Sequence, residues 1–158
     1  MKESDKYSST IIAGSSVISI YETSSLGLQR TFRVRLESDE LGEIALDSWR
    51  SPSLSFTEHV VYVWGGLRVF RLRANHAPER FDFDEEISAL YLLHNLFVLV
   101  CELSVRLLDN DLKELDRHTS NEVLNAGVWE KDILQIAAES QKVRLAVASD
   151  GSKLLKTD

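Results

Sequence analysis

Cysteine, proline, positive charge and long apolar runs are all scarce in this chain, and each scarcity excludes something. The single cysteine, Cys101, rules out an internal disulfide. It lies in an apolar stretch and reads as a small buried hydrophobe. The only two prolines, Pro52 and Pro78, both fall between the strands proposed below, where a missing backbone donor costs nothing. Lys and Arg total 18 against 25 Asp and Glu, a net charge of -7. That balance argues against general nucleic-acid binding, which needs clustered cations to displace counterions, and against docking on anionic lipid. The most apolar stretch, Ile87 to Leu108, is broken by Ser88, His94, Asn95, Glu102 and Arg106, which argues against a bilayer span. Met1 to Lys6 is charged and Tyr7 to Gly14 is too polar for the apolar region of a signal peptide, so the expected compartment is the cytoplasm.

What the chain does contain is a repeat. Val-Arg-Leu occurs at Val34-Arg35-Leu36, Val105-Arg106-Leu107 and Val143-Arg144-Leu145, with a stretched copy at Val69-Phe70-Arg71-Leu72. The valines at 34, 69, 105 and 143 are separated by 35, 36 and 38 residues, so the pattern fills the chain. A fixed period of this size marks a series of similar supersecondary units, none large enough to bury its own apolar face. The 158 residues, 44% hydrophobic, suffice for one substantial core.

Each unit reads as four short strands. Phe32, Val34 and Leu36 alternate with Arg33, Arg35 and Glu37, the period of two that places the arginines on the opposite face. Phe81 and Phe83 alternate with Asp82 and Asp84 in the same way. Val60–Trp64 and Leu96–Cys101 are continuously apolar, as strands covered on both faces are. Gly65-Gly66, His94-Asn95 and Asp109-Asn110-Asp111 supply turns. The units span approximately residues 8–48, 52–84, 86–118 and 122–156 of one repeat domain, with Leu54–Thr57 and Lys153–Lys156 as the weakest strands. An alternative is α+β, with Asp84-Glu85-Glu86 opening a central helix over Ile87–Leu115. Its apolar stripe is not clean, and the Val-Arg-Leu of the third unit would then be helical while its counterparts are strands.

Four-stranded units of this length resemble the blades of a β-propeller, an all-β architecture, over essentially the whole chain. The resemblance is to the architecture. Gly-His at the start of a blade and Trp-Asp after its third strand, the marks of the tryptophan–aspartate repeat class, are missing, and the quinone-dependent and kelch classes are not matched. The unit is also shorter than the roughly 40 to 50 residues of those classes. Four units close as a small ring, or form an open half completed by a second copy; the poor last strand of the fourth unit favours a homodimer.

No motif assigns catalysis, a metal or a cofactor. The histidines lack metal-ligand spacing, Asp109-Asn110-Asp111 lacks the glycine and the twelfth-position glutamate of a calcium loop, and no serine sits in a nucleophile elbow. The acids Asp82, Asp84, Glu85 and Glu86 read as a solvated edge. The arginines Arg35, Arg71, Arg106 and Arg144 either ring a channel as an anion site or, the favoured reading, pair with acids on neighbouring strands. In propeller-like folds the connections between blades share a face with the turns between second and third strands. That face carries Trp49, Arg50, Gly65, Gly66, Glu85, Glu86, Asn121 and Glu122. Trp49 beside Arg50 in a polar connection has the composition of an interface anchor, or of a lid folded back on the core. The expectation is a non-enzymatic module binding a protein partner or small ligand. A neutraliser of a basic toxin, of the immunity type, and an enzyme with acids gathered from several loops are the alternatives.

Overall fold

A strand whose residues alternate apolar and polar can bury only one face, so the sheet it joins needs a second sheet to lie on. The computed structural model, which describes residues 7–158, meets this need twice. The chain divides into two units, Met1–Asp84 and Glu85–Asp158. Each holds two four-stranded antiparallel sheets whose strands follow one another in sequence order.

In the first unit, β1 (Ser8–Ala13), β2 (Ser16–Leu26), β3 (Gln29–Leu36) and β4 (Asp39–Asp47) form one sheet. β5 (Ser53–Thr57), β6 (Val60–Gly65), β7 (Arg68–Arg73) and β8 (Glu79–Asp82) form the other. Ile18, Ile20, Phe32, Val34, Ile44 and Leu46 of the first sheet are buried in one core with Val61, Val63, Phe70 and Leu72 of the second. Each such side chain is worth about 1.5–3 kcal/mol of hydrophobic stabilisation. In the second unit, β9 (Ile87–Leu93), β10 (Leu96–Cys101), β11 (Ser104–Leu108) and β12 (Glu114–Thr119) face β13 (Val128–Glu130), β14 (Ile133–Ala137), β15 (Lys142–Val147) and β16 (Leu154–Lys156). Val98, Val100, Val105 and Leu107 share its core with Leu134, Ile136, Val143 and Leu145.

The expected all-β organisation of four blade-like, four-stranded units is therefore present, and Ile87–Leu115 is three strands and part of a fourth rather than a helix. Turn chemistry explains the break: His94 takes φ 53° and Leu93 pairs with Leu96 across the turn. Leu54–Thr57, weak in sequence, is a strand in full register with β6. Some boundaries differ from expectation: β8 ends at Asp82, short of Phe83 and Asp84, and β16 begins at Leu154. The β6–β7 turn is centred on Gly66-Leu67, because Gly65 pairs with Arg68, and Gly66 takes the positive φ of 58° that this tight turn requires. In the fourth unit the sequence suits a first strand over Val123–Trp129, yet the strand begins only at Val128. Its leading residues are committed elsewhere: Leu124 N–H donates to the Glu102 carbonyl and Asn125 N–H to that of Ala137.

Gly42 shows how closely the two sheets of the first unit meet. Its φ is 141°, and a Cβ there would stand 2.5 Å from Cγ of Pro78. Gly42→Ala should therefore add backbone strain and a clash, lowering unfolding free energy by about 1–3 kcal/mol. Urea denaturation followed by far-ultraviolet circular dichroism would read this, and an unchanged midpoint would show that the two sheets have room to part.

Candidate functional site

The connection following β4 is held from beneath. Arg30 on β3 grips Glu22 on β2 with both arms of its guanidinium, Nε to Oε1 at 3.2 Å and Nη2 to Oε2 at 2.9 Å. Its remaining nitrogen, Nη1, donates to the carbonyls of Trp49 at 3.3 Å and Arg50 at 3.0 Å. Arg30 also lies 5.0 Å from the Phe32 ring, and both partners of the ion pair are largely buried. Such a planar, bidentate clamp fixes direction as well as charge. Ser48 completes the turn by accepting the Arg50 N–H at 3.2 Å.

Above this base Trp49 is 73% exposed, with the Arg50 guanidinium 5.3 Å from its ring centroid. Gly65 and Gly66 lie alongside. A Cβ on Gly66 would meet the Asp47 carbonyl oxygen at 2.7 Å, so only glycine lets the β6–β7 turn approach the chain this closely. Arg68 closes the flank, bonding Asp47 at 2.8 Å and the Ala45 carbonyl at 3.1 Å. The four expected residues of the first unit thus come together.

Three exposed leucines at the same end escaped the sequence reading. Leu26 is 81% exposed and Leu28 60%, on either side of Gly27 in the β2–β3 turn, and Leu67 follows Gly66. Leu-Gly-Leu at a hairpin tip was the available signal, since such tips are ordinarily polar.

In the second unit the expected acids tie connections down. Glu85 accepts the Leu103 N–H, the Ser104 hydroxyl and Arg106 Nη2, each at 2.8 Å. Burial pushes its carboxyl upward, but these three donors outweigh it and hold it below the ordinary glutamate range. The Glu86 carbonyl accepts the Glu102 N–H, and the Glu102 carbonyl accepts that of Leu124. Glu122 accepts the Ser140 N–H at 2.9 Å and also its hydroxyl, which hold its carboxyl low. Asn121 is exposed on the same connection.

Two of the four repeated arginines pair with acids. Arg71 binds Glu79 at 2.7 Å, and Arg106 binds Glu85 at 2.8 Å and approaches Glu114. Arg35 instead lies 5.7 Å from the Tyr21 ring, and Arg144 donates to the Asp158 carbonyl. Asp82, one of the clustered acids, is held by Arg80 and Arg68. Asp109 Oδ1 accepts the N–H groups of Asp111 and Lys113, a turn. Among the described residues no three His, Cys, Asp or Glu side chains gather as a metal cluster, and no helix is long and apolar enough to cross a membrane. A cleft of about 680 Å³ opens in the second unit at the opposite end of its strands, among the β9–β10, β13–β14 and β15–β16 turns. Leu96, Trp129 and Val147 line it with His94, Lys131 and Asp150.

No protein-family model and no curated protein matches this chain in sequence. Solved structures do match it in three dimensions. The AfRom2 CNH domain aligns with TM-score 0.55 and 11% identity, over 94% of this chain and 53% of its own. HIRA(644-1017) aligns with TM-score 0.53 and 11% identity, over 97% of this chain and 53% of its own. Both are propeller-type folds. This chain shares that fold. It spans about half the length of the structures it matches.

Glu85 supplies a stability test with a defined sign. Its folded pKa lies below its unfolded one, so its contribution is present above the unfolded value of about 4.3 and is lost as pH falls through the folded value. Glu85→Gln should cost about 3 kcal/mol at neutral pH, because buried Arg106 loses its nearer carboxylate and keeps the more distant Glu114. The gap from wild type should close on acidification, as measured by urea unfolding across pH. A gap independent of pH would mean that Glu85 contributes by packing alone.

Proposed function

We propose that this chain is a non-enzymatic, cytoplasmic binding module that docks a protein partner through the end of the first unit carrying Trp49 and Arg50. The observation that carries the reading is an exposed indole on a connection whose backbone is clamped by the buried Arg30–Glu22 pair. An exposed tryptophan loses a large apolar area to a partner's pocket, and a loop ordered beforehand loses little entropy on binding. Leu26, Leu28 and Leu67, exposed at the same end of the unit, would supply further apolar contacts. Arg50 favours a partner with a carboxylate beside an apolar pocket. On the second unit Glu85, Glu86, Asn121 and Glu122 belong to the same class of connections, where the Glu85 and Glu122 carboxylates accept backbone N–H groups.

Trp49→Ala tests this directly. Partners captured by the wild-type chain from its source cells should be lost or weakened at least tenfold, while the thermal midpoint stays nearly unchanged. Leu103→Ser, an exposed change in the second unit, serves as the matched control and should retain them. If Trp49→Ala unfolds the protein, the indole is a lid. If it folds and holds its partners unchanged, binding lies elsewhere.

A further inference from the structure

The core of the second unit is not sealed at the end where its β9–β10, β13–β14 and β15–β16 turns gather. Leu93 and Leu96 lie in line with the core residues Ala89 and Val98 of their strands, Val147 lies in line with Leu145, and Trp129 stands opposite Leu134. All four pack against the core, yet each is only half-buried, because the cleft of about 680 Å³ begins there. That volume exceeds any one side chain and falls in the range of small-molecule sites, roughly 300–1,000 Å³.

Its walls are held in place. Tyr91 donates its hydroxyl hydrogen to the Gly127 carbonyl and meets Trp129 edge-on, the ring centroids 6.0 Å apart and the planes at 82°. In the β15–β16 connection the Ala148 N–H donates to the Lys153 carbonyl at 2.9 Å and the Gly151 N–H to that of Ala148 at 2.8 Å. Gly151 approaches Leu96 so closely that a Cβ on it would stand 3.0 Å from Leu96 Cδ1. A site made of ordered turns loses little entropy when it is filled.

The rim adds charge to this apolar floor. Asp132 comes from the two-residue turn between Glu130 and Ile133, and Asp150 from the β15–β16 connection. Asp150 Oδ1 accepts the Ser152 N–H at 3.0 Å and the Ser152 hydroxyl at 2.6 Å, which fixes the direction of its carboxylate. Neither acid forms an ion pair among the described residues, although Lys153 attracts Asp150 at longer range. Lys131 and His94 share the rim, and both side chains are exposed.

We propose that this cleft binds a small organic cation, its ammonium group held at the rim by Asp132 and Asp150 and its apolar body lying on Leu93, Leu96, Trp129 and Val147. The apolar floor disfavours a bare inorganic cation, which would lose its hydration there. The two carboxylates disfavour an anion, and an indole is the best aromatic partner for a positive charge. Lys131 opposes the ligand and limits its affinity. The cleft shares no residue with the Trp49 surface and stands without it.

Titration of the full chain with phenylbutylamine tests the proposal, followed by calorimetry and by the indole N–H signals of a nitrogen-labelled sample. Trp129 Nε1 is buried without a hydrogen-bond partner, so its signal reports changes around the cleft floor. Binding should saturate, shift the Trp129 signal and leave that of Trp49 in place. Phenylpentanoate, the same body with the charge reversed, should bind at least about tenfold more weakly, with phenylbutanol between the two. Asp132→Asn combined with Asp150→Asn should abolish the preference for the amine over the alcohol. The thermal midpoint should hold, since asparagine still offers Ser152 an acceptor. Lys131→Asn suits the φ of 55° at that position and should tighten the amine about threefold. Absence of saturable binding overturns the proposal. So does phenylpentanoate binding as tightly as the amine, or a shift at Trp49 without one at Trp129.

Discussion

Everything in this structure depends on one constraint: a four-stranded sheet cannot bury its own apolar face. Ile18, Ile20, Phe32 and Val34 leave water only because Val61, Val63, Phe70 and Leu72 lie against them, and the second unit repeats the solution. The consequences run outward from that contact. In β2, β3, β14 and β15 it goes with alternation of buried and exposed residues, which sets register, since a slip of one residue would turn their apolar side chains outward. It requires close approach where the sheets meet, which explains why Gly42 has no room for a side chain. It also leaves each connection stretched over the end of a core, where backbone groups need partners of their own.

Buried arginine–carboxylate pairs supply many of those partners. Arg30 with Glu22 and Arg106 with Glu85 each hold a connection at the end of a sheet, through carbonyls in the first case and an N–H in the second. A buried pair of this kind adds little net stability, because desolvation offsets the attraction. Its contribution is geometric. The loop acquires one conformation, and an exposed side chain such as Trp49 is presented in one orientation rather than many. Structure and proposed function are joined at this point.

Much of the fold was legible because alternation and repetition are properties of the chain itself. The four Val-Arg-Leu copies identify third strands in all four sheets, and the turn residues separate most of their neighbours. What escaped depends on partners distant in sequence. Val123–Gly127 has strand-like composition, yet its donors are taken by Glu102 and Ala137. The repeat also concealed a shift: the counterpart of Arg71 in the first sheet is Arg33, which shares a tyrosine and a glutamate with it, and not Arg35. The irregularities in the register of β3 with both its neighbours allow this. Of the site, Trp49 and Arg50 stood out as an aromatic and a cation in a polar connection. The Arg30–Glu22 clamp did not, because nothing in sequence separates a buried pair from a solvated one.

Amide hydrogen exchange, resolved strand by strand, tests the dependence on paired sheets most directly. The two sheets of a unit should open as one body, with the middle strands β2, β3, β6 and β7 sharing a single highest opening free energy, and β10, β11, β14 and β15 likewise in the second unit. The outer strands should exchange sooner. Four separate opening energies, one for each sheet, would contradict the account, because each sheet would then be stable without the face it is said to need.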